Sequence, residues 1–369
     1  MNRVSFSTHK WLLPLSWLYG LVVSVRNELF DAGWLKSERF PIPVIGMGNI
    51  TVGGTGKTPH TEYLIRLLSR EWRVAVLSRG YGRSSHGYVL AAEGMPPSMI
   101  GDEPWQIKKK FPNVHVAVDV NRCRGIQRLM SDKETRDVDV ILLDDSFQHR
   151  FVSPGLNMLL VNWHRPIYDD CLLPAGRLRE SAKGKGRADV VVVSKCPDTI
   201  RPMDMREVYA RLNLLPSQKL FFSGFSYGMP RPLFVESGET EMTWQTLKGQ
   251  NVLLVTGIGN PTQMKGEVKP LVRHLETLTF PDHHRYTASN IRWINRRLER
   301  MQEPRIVMTT EKDAARMLEI CGYDGSAFHK AIYVLPAEIR ILQNRQEAFN
   351  KYITDYVRKN IRNHSMAED

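Results

Sequence analysis

A glycine-rich loop that could hold phosphate groups lies between an apolar run and a helical pattern. The loop reads TVGGTGKT, follows the run PVIGM and precedes a helical pattern that starts near Pro59. Glycines let successive backbone N–H groups turn toward phosphate oxygens, and the N-terminus of the following helix adds partial positive charge. This placement is the context that a P-loop requires. The sequence therefore predicts a nucleotide phosphate site made of Thr51, Val52, Gly53, Gly54, Thr55, Gly56, Lys57 and Thr58.

Two residues of this loop carry specific chemistry. We expect Lys57 to reach the β- and γ-phosphates and the Thr58 hydroxyl to bind Mg²⁺. The loop departs from the pattern GxxxxGK[ST] at one position, because Thr51 stands where the first glycine is expected. Gly46 and Gly48 begin a partial GxGxxG pattern, but its third glycine is missing, so a dinucleotide site is not favoured.

Two adjacent aspartates follow a second apolar run. The run Val138–Leu143 ends in Asp144 and Asp145. P-loop proteins hold Mg²⁺ with a carboxylate at the end of a strand beside the phosphate loop. A polar turn would also explain such a pair, but its occurrence together with the P-loop favours the metal site. The sequence leaves open which of the two aspartates binds the metal directly.

These residues need a sheet to position them, and the chain has the pattern of one. Short apolar runs alternate with helical patterns, which predicts an α/β fold: a P-loop NTPase-like domain with a mainly parallel sheet and a second, smaller α/β domain. The predicted divisions are an N-terminal helix region (1–38), the P-loop domain (39–222), a linker or ribbon rich in Gly, Pro and aromatic residues (223–250) and the smaller domain (251–369).

The N-terminal region contains the apolar run WLLPLSWLYGLVVSV between Lys10 and Arg26. This run is shorter than the roughly 20 residues that a membrane-spanning helix needs. On a helix, small and polar residues lie roughly opposite the large apolar ones, and the flanks are basic. The pattern predicts an amphipathic helix that lies on a membrane surface, although a helix docked on its own domain remains an alternative. A signal peptide is not favoured, because no small-x-small cleavage site follows. The predicted apolar face comprises Trp11, Leu15, Leu18, Val22, Val25 and Leu29.

Composition limits the classes of partner. The 369 residues carry a net charge of +12, which suits an anionic partner such as a nucleotide or an acidic membrane. The basic residues are dispersed and form no nucleic-acid-binding motif, so we expect no nucleic acid partner. No obligate protein partner is evident from the sequence. The four cysteines form no CxxC pattern, which argues for a reducing compartment and against a disulfide framework.

Eight motifs, in order along most of the chain, resemble the tetraacyldisaccharide 4′-kinase family, the lipid A kinases of Gram-negative bacteria. A threonine in place of the first P-loop glycine is a feature of this family. Ser146 is a small departure, because it stands where the family form DDGFQHR has glycine. The matching stretches are GNITVGGTGKTP (48–59), LSRGYGR (77–83), GDEP (101–104), DDSFQHR (144–150), LPAGRLRE (173–180), VSKCP (193–197), FPDHH (280–284) and TTEKDA (309–314).

The resemblance implies a reaction and a location. The reaction is the Mg²⁺-dependent transfer of the γ-phosphate of ATP to the 4′-hydroxyl of a tetraacyl glucosamine disaccharide 1-phosphate, a lipid A precursor. The location is the cytoplasmic face of the inner membrane of a Gram-negative bacterium. A lipid acceptor agrees with the apolar N-terminal run and with the basic net charge.

The resemblance also implies roles for residues that the sequence alone would not single out. Asp102 matches the catalytic aspartate of the family, and His283 matches the histidine paired with it, although the neighbouring His284 is an alternative. Arg179 would stabilise the transferred charge, and Glu180 would assist the metal. Taken alone, GDEP would be interpreted as the start of a helix.

Two further motifs remain open. RGYGR is a glycine-bearing loop that suits a mobile element over the lipid headgroup. In TTEKDA, the polar residues Glu311, Lys312 and Asp313 follow a predicted strand, where they would serve domain closure, substrate contact or helix capping.

The main alternative function is a membrane-associated P-loop GTPase or ATPase switch. Guanine specificity usually involves an NKxD element, and the stretch SKCPD (194–198) has Pro197 in the aspartate position. This difference favours adenine.

Overall fold

The computed structural model describes residues 9–258, 261–281, 284–322, 324 and 326–368. Within these residues the chain forms one sheet of nine strands and one of five. The strands are β1 (Val44–Gly48), β2 (Val74–Ser78), β3 (Val89–Leu90), β4 (His115–Val118), β5 (Val140–Leu143), β6 (Leu156–Asn162), β7 (Val190–Ser194), β8 (Lys219–Tyr227), β9 (Arg231–Pro232), β10 (Asn251–Thr256), β11 (His274–Thr279), β12 (Arg305–Thr310), β13 (Ile332–Leu335) and β14 (Ala337–Ile341).

Helices cover both sheets and connect most of the strands. They are α1 (Leu13–Asp31), α2 (Lys57–Leu68), α3 (Pro97–Ile100), α4 (Asp102–Lys110), α5 (Arg122–Ser131), α6 (Pro202–Leu212), α7 (Trp244–Lys248), α8 (Thr262–Val268), α9 (Ala288–Glu299), α10 (Glu311–Leu318), α11 (Ala327–Lys330) and α12 (Gln346–Glu368).

The first sheet has the strand order β14-β8-β7-β6-β1-β5-β2-β4-β3 and is parallel except at its two edge strands. Its inner strands β1, β2, β5 and β7 are buried along their whole length, which explains their continuous apolar sequence. Strand β1 lies between β5 and β6. The connection after β1 leads to β2, on the β5 side, whereas the connection after β5 leads to β6, on the other side of β1. Such a switch point, at the carboxyl ends of parallel strands, is where α/β folds bind ligands.

The second sheet has the order β11-β10-β12-β13-β9, and only β9 runs antiparallel to its neighbour. Apolar side chains from β10, β12, α9 and α10 form its core. The predicted α/β class, with a mainly parallel P-loop-like domain and a second smaller domain, is confirmed.

The domain boundaries differ from those predicted. Strand β8 starts at Lys219, within the predicted P-loop domain, and crosses into the predicted linker. The end of the predicted smaller domain returns to the first sheet, because β14 pairs with β8. Phe349, Ile353 and Val357 of α12 then pack in the core of that sheet. The prediction failed because strand and helix patterns do not state which sheet a returning segment joins.

The N-terminal helix α1 packs against the first domain through its small residues. Ser16 and Gly20 are buried, and a Cβ on Gly20 would lie 2.6 Å from Cδ1 of Leu172. The Ser16 hydroxyl donates to the Leu172 carbonyl at 3.0 Å. The large apolar side chains are exposed, and the amphipathic helix on a membrane surface stays a prediction. Those exposed side chains are Trp11, Leu15, Trp17, Leu18, Leu21, Val22 and Val25.

None of the helices in the described part of the chain combines the length and the hydropathy that a membrane-spanning segment needs.

Candidate active site

The phosphate loop lies between the end of β1 and the start of α2, as predicted. Gly53 and Gly56 have φ values of 108° and 82°, a left-handed conformation that favours glycine over other residues. The Asn49 side chain donates to the Thr55 hydroxyl at 2.8 Å, and the Val52 N–H donates to the Arg177 carbonyl at 2.7 Å. These contacts hold the loop in place.

A buried histidine supports the C-terminal end of the loop. His60 Nδ1 lies 2.7 Å from the Gly56 carbonyl oxygen, and Nε2 lies 2.9 Å from the Ser223 hydroxyl. Burial lowers the pKa of His60 to about 4, so the ring is neutral at pH 7. Because a carbonyl only accepts, Nδ1 carries the proton and donates to Gly56. Sequence reasoning missed His60, which falls just outside the matching stretch that ends at Pro59.

The two predicted metal-binding aspartates differ in environment. Asp144 is 1% exposed, and its Oδ1 accepts a hydrogen bond from the Thr61 hydroxyl at 3.3 Å. Burial, together with the charges of Glu103 and Asp145, raises the pKa of Asp144 to about 7. Asp145 is partly exposed, and its carboxylate lies 3.5 Å from Lys57 Nζ. Because burial and the neighbouring carboxylates disfavour the charge of Asp144, a bound cation would stabilise its charged form.

Arg179 lies beside the phosphate loop, as the resemblance implied. Its Nη1 lies 3.3 Å from Asp145 Oδ2 and donates to Gln148 Oε1 at 3.3 Å. The Arg179 N–H donates to the carbonyl of Ile50, one residue before the loop. The structure thus places two cations, Lys57 and Arg179, on the same carboxylate.

Glu180 is buried behind this group. Its Oε2 lies 2.7 Å from Arg187 Nη2, and its Oε1 accepts from the Gln148 amide at 3.1 Å. The carboxylate is therefore neutralised by Arg187, and its part in metal binding stays a prediction.

The donor set fits Mg²⁺. Among the residues that the structure describes, no group of three or more His, Cys, Asp or Glu side chains is arranged to hold a metal ion. Mg²⁺ usually keeps several waters and binds one or two carboxylates plus substrate phosphates. Thr58, Asp144 and Asp145 supply oxygen donors of that kind beside the phosphate loop.

Sequence reasoning also missed a buried arginine behind the aspartates. Arg122 is 2% exposed, and its Nη2 donates to the Asp144 carbonyl at 3.1 Å. Burial lowers its pKa to about 10, against the opposing effect of the Asp144 and Asp145 charges. Arg122 follows a predicted strand in the stretch DVNRCRG, but nothing in that pattern indicates burial.

Asp102 lies at the contact between the two domains. It is the first residue of α4, and its Oδ2 accepts from Arg316 Nε of α10 at 2.9 Å. Glu103 forms an ion pair with Lys312 of the same helix. The motifs GDEP and TTEKDA, far apart in sequence, are therefore neighbours in space.

His283 and Asp282 lie outside the described residues, but the flanks of FPDHH can be placed. A Cβ on Gly257 would lie 2.7 Å from Asp313 Oδ1 and 3.5 Å from the Cβ of His284. Helix α10 therefore lies close to both FPDHH and Asp102. The His284 ring stacks on Phe280, and its Nε2 lies 3.0 Å from Oδ1 of Asn290, which belongs to the capping box of α9.

The RGYGR loop follows β2 and has a structural arginine. Arg83 donates to the carbonyls of Gly87 at 2.6 Å and Val118 at 3.3 Å, so it holds the loop closed. Gly80 and Gly82 have positive φ values of 68° and 75°, and Tyr81 between them is exposed.

Comparisons with known proteins identify the family of this chain. A family model described as Tetraacyldisaccharide-1-P 4′-kinase matches residues 8–358. A tetraacyldisaccharide 4′-kinase of Bacteroides thetaiotaomicron is 50% identical, over 100% of this chain and 98% of that protein. One from Phocaeicola vulgatus is also 50% identical, over 96% and 97% of the two chains. The crystal structure of LpxK from Aquifex aeolicus in complex with ATP superimposes with a TM-score of 0.72 at 30% identity, covering 94% of this chain and 99% of that one.

The match to the family model, the two relatives and the solved structure each span more than nine-tenths of the chain. The chain therefore belongs to the tetraacyldisaccharide 4′-kinase family.

Proposed function

We propose that this protein is an ATP-dependent lipid kinase that transfers the γ-phosphate of ATP to the 4′-hydroxyl of a tetraacyl glucosamine disaccharide 1-phosphate. The product is a bisphosphorylated lipid A precursor of lipopolysaccharide biosynthesis. The observation that carries the proposal is the convergence of the phosphate loop, the aspartate pair and Arg179 in a member of this family. Relatives of the chain bear the name of this activity.

The donor side of the reaction depends on charge. The loop N–H groups, Lys57 and Arg179 would bind the phosphates, because both cations already lie within 3.5 Å of Asp145 beside the loop. Thr58, Asp144 and Asp145 would hold Mg²⁺, which supplies charge that neutralises the β- and γ-phosphates. Positive groups fixed in a partly dry site stabilise the charge of the transferring phosphoryl group.

The acceptor side is assigned to Asp102 and His283. The 4′-hydroxyl must lose its proton as its oxygen bonds to the γ-phosphorus and the bridging P–O bond to ADP breaks. We assign the proton to the Asp102–His283 pair, because a carboxylate orients an imidazole and raises its basicity. His284 contacts Asn290 at the start of α9, which favours His283 as the working histidine.

Helix α1 is suited to bringing the site to a lipid. The Tyr19 hydroxyl of α1 donates to the Arg179 carbonyl at 2.7 Å, so the helix touches a residue of the site. The opposite side of α1 is apolar and exposed, and Trp17 is 72% exposed. Tryptophan and aliphatic side chains of this kind lie at the boundary between headgroups and acyl chains. We propose that α1 rests on the cytoplasmic face of the inner membrane.

Direct assay tests the activity. Purified protein, ATP, Mg²⁺ and tetraacyl disaccharide 1-phosphate should give a product heavier by one phosphate in mass spectrometry. Asp102→Ala should lower turnover by a factor of roughly 100 to 10,000 while ATP affinity is retained, since acid–base catalysis contributes that range. A folded wild-type protein that hydrolyses ATP without phosphorylating the lipid would contradict the proposal and support a nucleotide switch.

Vesicle binding tests the membrane surface separately. Leu18→Glu and Val22→Glu should each weaken flotation with vesicles that contain anionic phospholipid by roughly tenfold or more. Each variant removes an exposed apolar side chain whose burial in the membrane would contribute about 1.5–3 kcal/mol to binding. Met203→Glu is a matched control, since Met203 is equally apolar and exposed but lies on α6. Equal binding of all three variants would show that α1 is not the membrane contact.

A further inference from the structure

Two basic residues of α10 face two acidic residues of α4 across the contact between domains. Arg316 Nε donates to Asp102 Oδ2 at 2.9 Å, and Lys312 pairs with Glu103. Lys312 and Arg316 are four residues apart, so they share one face of their helix. Asp102 and Glu103 are the first two residues of α4. Two consecutive carboxylates of one domain are thus each bound by a cation of the other.

Buried contacts fix the position of Arg316. Its side chain is only 5% exposed, and its Nη1 lies 3.6 Å from Oδ1 of the fully buried Asp313. Asp313 Oδ2 accepts from the Gly257 N–H at 2.9 Å and from the Thr310 hydroxyl at 2.7 Å. The contacts run without a break from the carboxyl edge of the second sheet to Asp102. Because these contacts fix the Arg316 side chain, Arg316 can fix the orientation of the Asp102 carboxylate.

The ion pair between Lys312 and Glu103 also lies near the metal-binding aspartates. The charge of Glu103 is one cause of the raised pKa of Asp144, after burial itself. Burial opposes the charge of Lys312, but the carboxylates of Glu103 and Asp144 outweigh it and raise the pKa of Lys312. Helix α10 therefore lies within electrostatic reach of both Asp102 and Asp144.

Helix capping does not account for these cations. The N-cap of α10 is Thr310, whose hydroxyl accepts from the Asp313 N–H. Lys312 and Arg316 instead project to the other domain.

A separate ion pair, at the opposite end of α4, also joins the two domains. Lys110 Nζ lies 2.8 Å from Glu311 Oε1 of α10 and 2.6 Å from Glu62 Oε2 of α2. Lys110 is eight residues from Asp102, about 12 Å along the helix. The contact near Asp102 is thus separate from a contact that docks the domains without touching GDEP.

We propose that α10 is a positioning element for phosphoryl transfer, in which Arg316 orients the Asp102 carboxylate and Lys312 holds the start of α4 while the domains are docked. Arg316 binds Oδ2 and so fixes the orientation of the carboxylate. The second domain thereby supplies the residue that orients the Asp102 carboxylate. The inference rests on the proposed kinase function and on the role of Asp102 in it.

Steady-state kinetics at saturating ATP and lipid test the role of Arg316. Arg316→Met should lower kcat by roughly 100-fold, the effect of a misplacement of about 1 Å, with the KM for ATP changed less than about threefold. Arg316→Lys should recover at least roughly tenfold of that loss, because the ammonium can still reach Oδ2. Lys110→Met, the matched control, should keep kcat within about threefold, since it removes a docking ion pair and leaves Asp102 bound.

A charge exchange tests Lys312 independently of Arg316. Glu103→Lys and Lys312→Glu should each lower kcat by roughly tenfold or more, because each puts like charges together, and the double variant should recover most of the loss. Recovery in the double variant depends on the pair and not on either residue alone.

The outcomes separate this inference from the proposed function. Absence of lipid phosphorylation by the wild-type protein would refute the kinase function itself. Wild-type activity together with an Arg316→Met kcat within threefold of normal would refute the inference alone, as would equal losses in Arg316→Met and Lys110→Met. If Arg316→Met does not fold, by circular dichroism, the Arg316→Lys variant and the charge exchange decide, and failure of the double variant to recover would overturn the pairing.

Discussion

Replacing Asp144 with asparagine should stabilise the metal-free protein near neutral pH and at the same time abolish Mg²⁺-dependent transfer. Asp144 is buried beside Asp145 and within reach of Glu103, so its negative charge is unfavourable in the folded state. Asparagine has nearly the same shape and keeps an oxygen that can accept the hydrogen bond from Thr61. The substitution therefore removes the charge with little change in packing.

The size and the pH window follow from the pKa of Asp144. The folded pKa is about 7 against an ordinary value of 3.8. Well below pH 3.8 the carboxyl is protonated in both states, so its ionisation costs no stability. As the pH rises from about 4 to 7, the unfolded chain ionises and the folded chain does not, and stability falls. The full loss is on the order of 4 kcal/mol, at 1.36 kcal/mol per pKa unit.

Urea unfolding without Mg²⁺, followed between pH 4 and pH 8, measures this effect. The advantage of Asp144→Asn over the wild type should be less than about 1 kcal/mol at pH 4 and grow toward about 4 kcal/mol at pH 8. Asp137→Asn is the control, because Asp137 is an exposed partner of Arg73 and its removal costs at most about 1 kcal/mol. An Asp144→Asn protein less stable than the wild type at pH 8, or an advantage that shrinks with rising pH, would refute the reasoning.

Added Mg²⁺ and ATP should reverse the order of stability. Ligands that bind only the folded state stabilise it by mass action. The wild type should gain stability from Mg²⁺ with ATP, whereas Asp144→Asn should gain less because one of its metal-binding carboxylates is gone. Equal gains in the two proteins would exclude Asp144 as a metal ligand.

Three further predictions concern the supports of the site. Gly48→Ala should destabilise the protein by about 1–3 kcal/mol in urea unfolding, because its Cβ would lie 2.8 Å from the Phe147 backbone nitrogen, whereas Gly186→Ala meets no atom within 4 Å and should have little effect. Burial lowers the pKa of His60 from 6.5 to about 4, so the stability contributed by the neutral ring above pH 6.5 is lost as the pH falls toward 4. His60→Gln should remove a pH dependence of the unfolding free energy of up to about 3 kcal/mol between pH 7 and pH 4. An unchanged dependence of the unfolding free energy on pH would contradict this. Glu180→Gln should cost about 2 kcal/mol of unfolding free energy by weakening the contact with Arg187, with the Mg²⁺ requirement of the kinase changed less than about twofold; a tenfold rise in that requirement would instead place Glu180 among the metal ligands.

The phosphate loop and the aspartate pair could be predicted because their chemistry is local in sequence. Each motif is continuous in the chain and follows a run of apolar residues that can only be buried. The strand register then brings the two motifs together, because Gly46 of β1 lies opposite Leu143 of β5 and the two strands end side by side. Parallel strands deliver whatever follows them to one edge of the sheet.

The orientation of α1 was predicted only in part. The sequence placed Ser16 and Gly20 opposite the large apolar residues, and the structure buries both of them. Periodicity identifies faces but does not say which face meets the protein. The structure decided this through close packing, because only residues as small as Ser16 and Gly20 allow the helix backbone to approach Leu172.

What the sequence by itself determined, then, is the donor side: the phosphate loop, the aspartate pair and the α/β sheet that joins them. Only the tertiary structure decided the acceptor side, where Arg316 meets Asp102, and the return of β14 to the first sheet. Asp102 and Arg316 are 214 positions apart. Contacts at that separation depend on how two domains pack, and packing is the sum of many weak interactions that no local pattern of residues encodes.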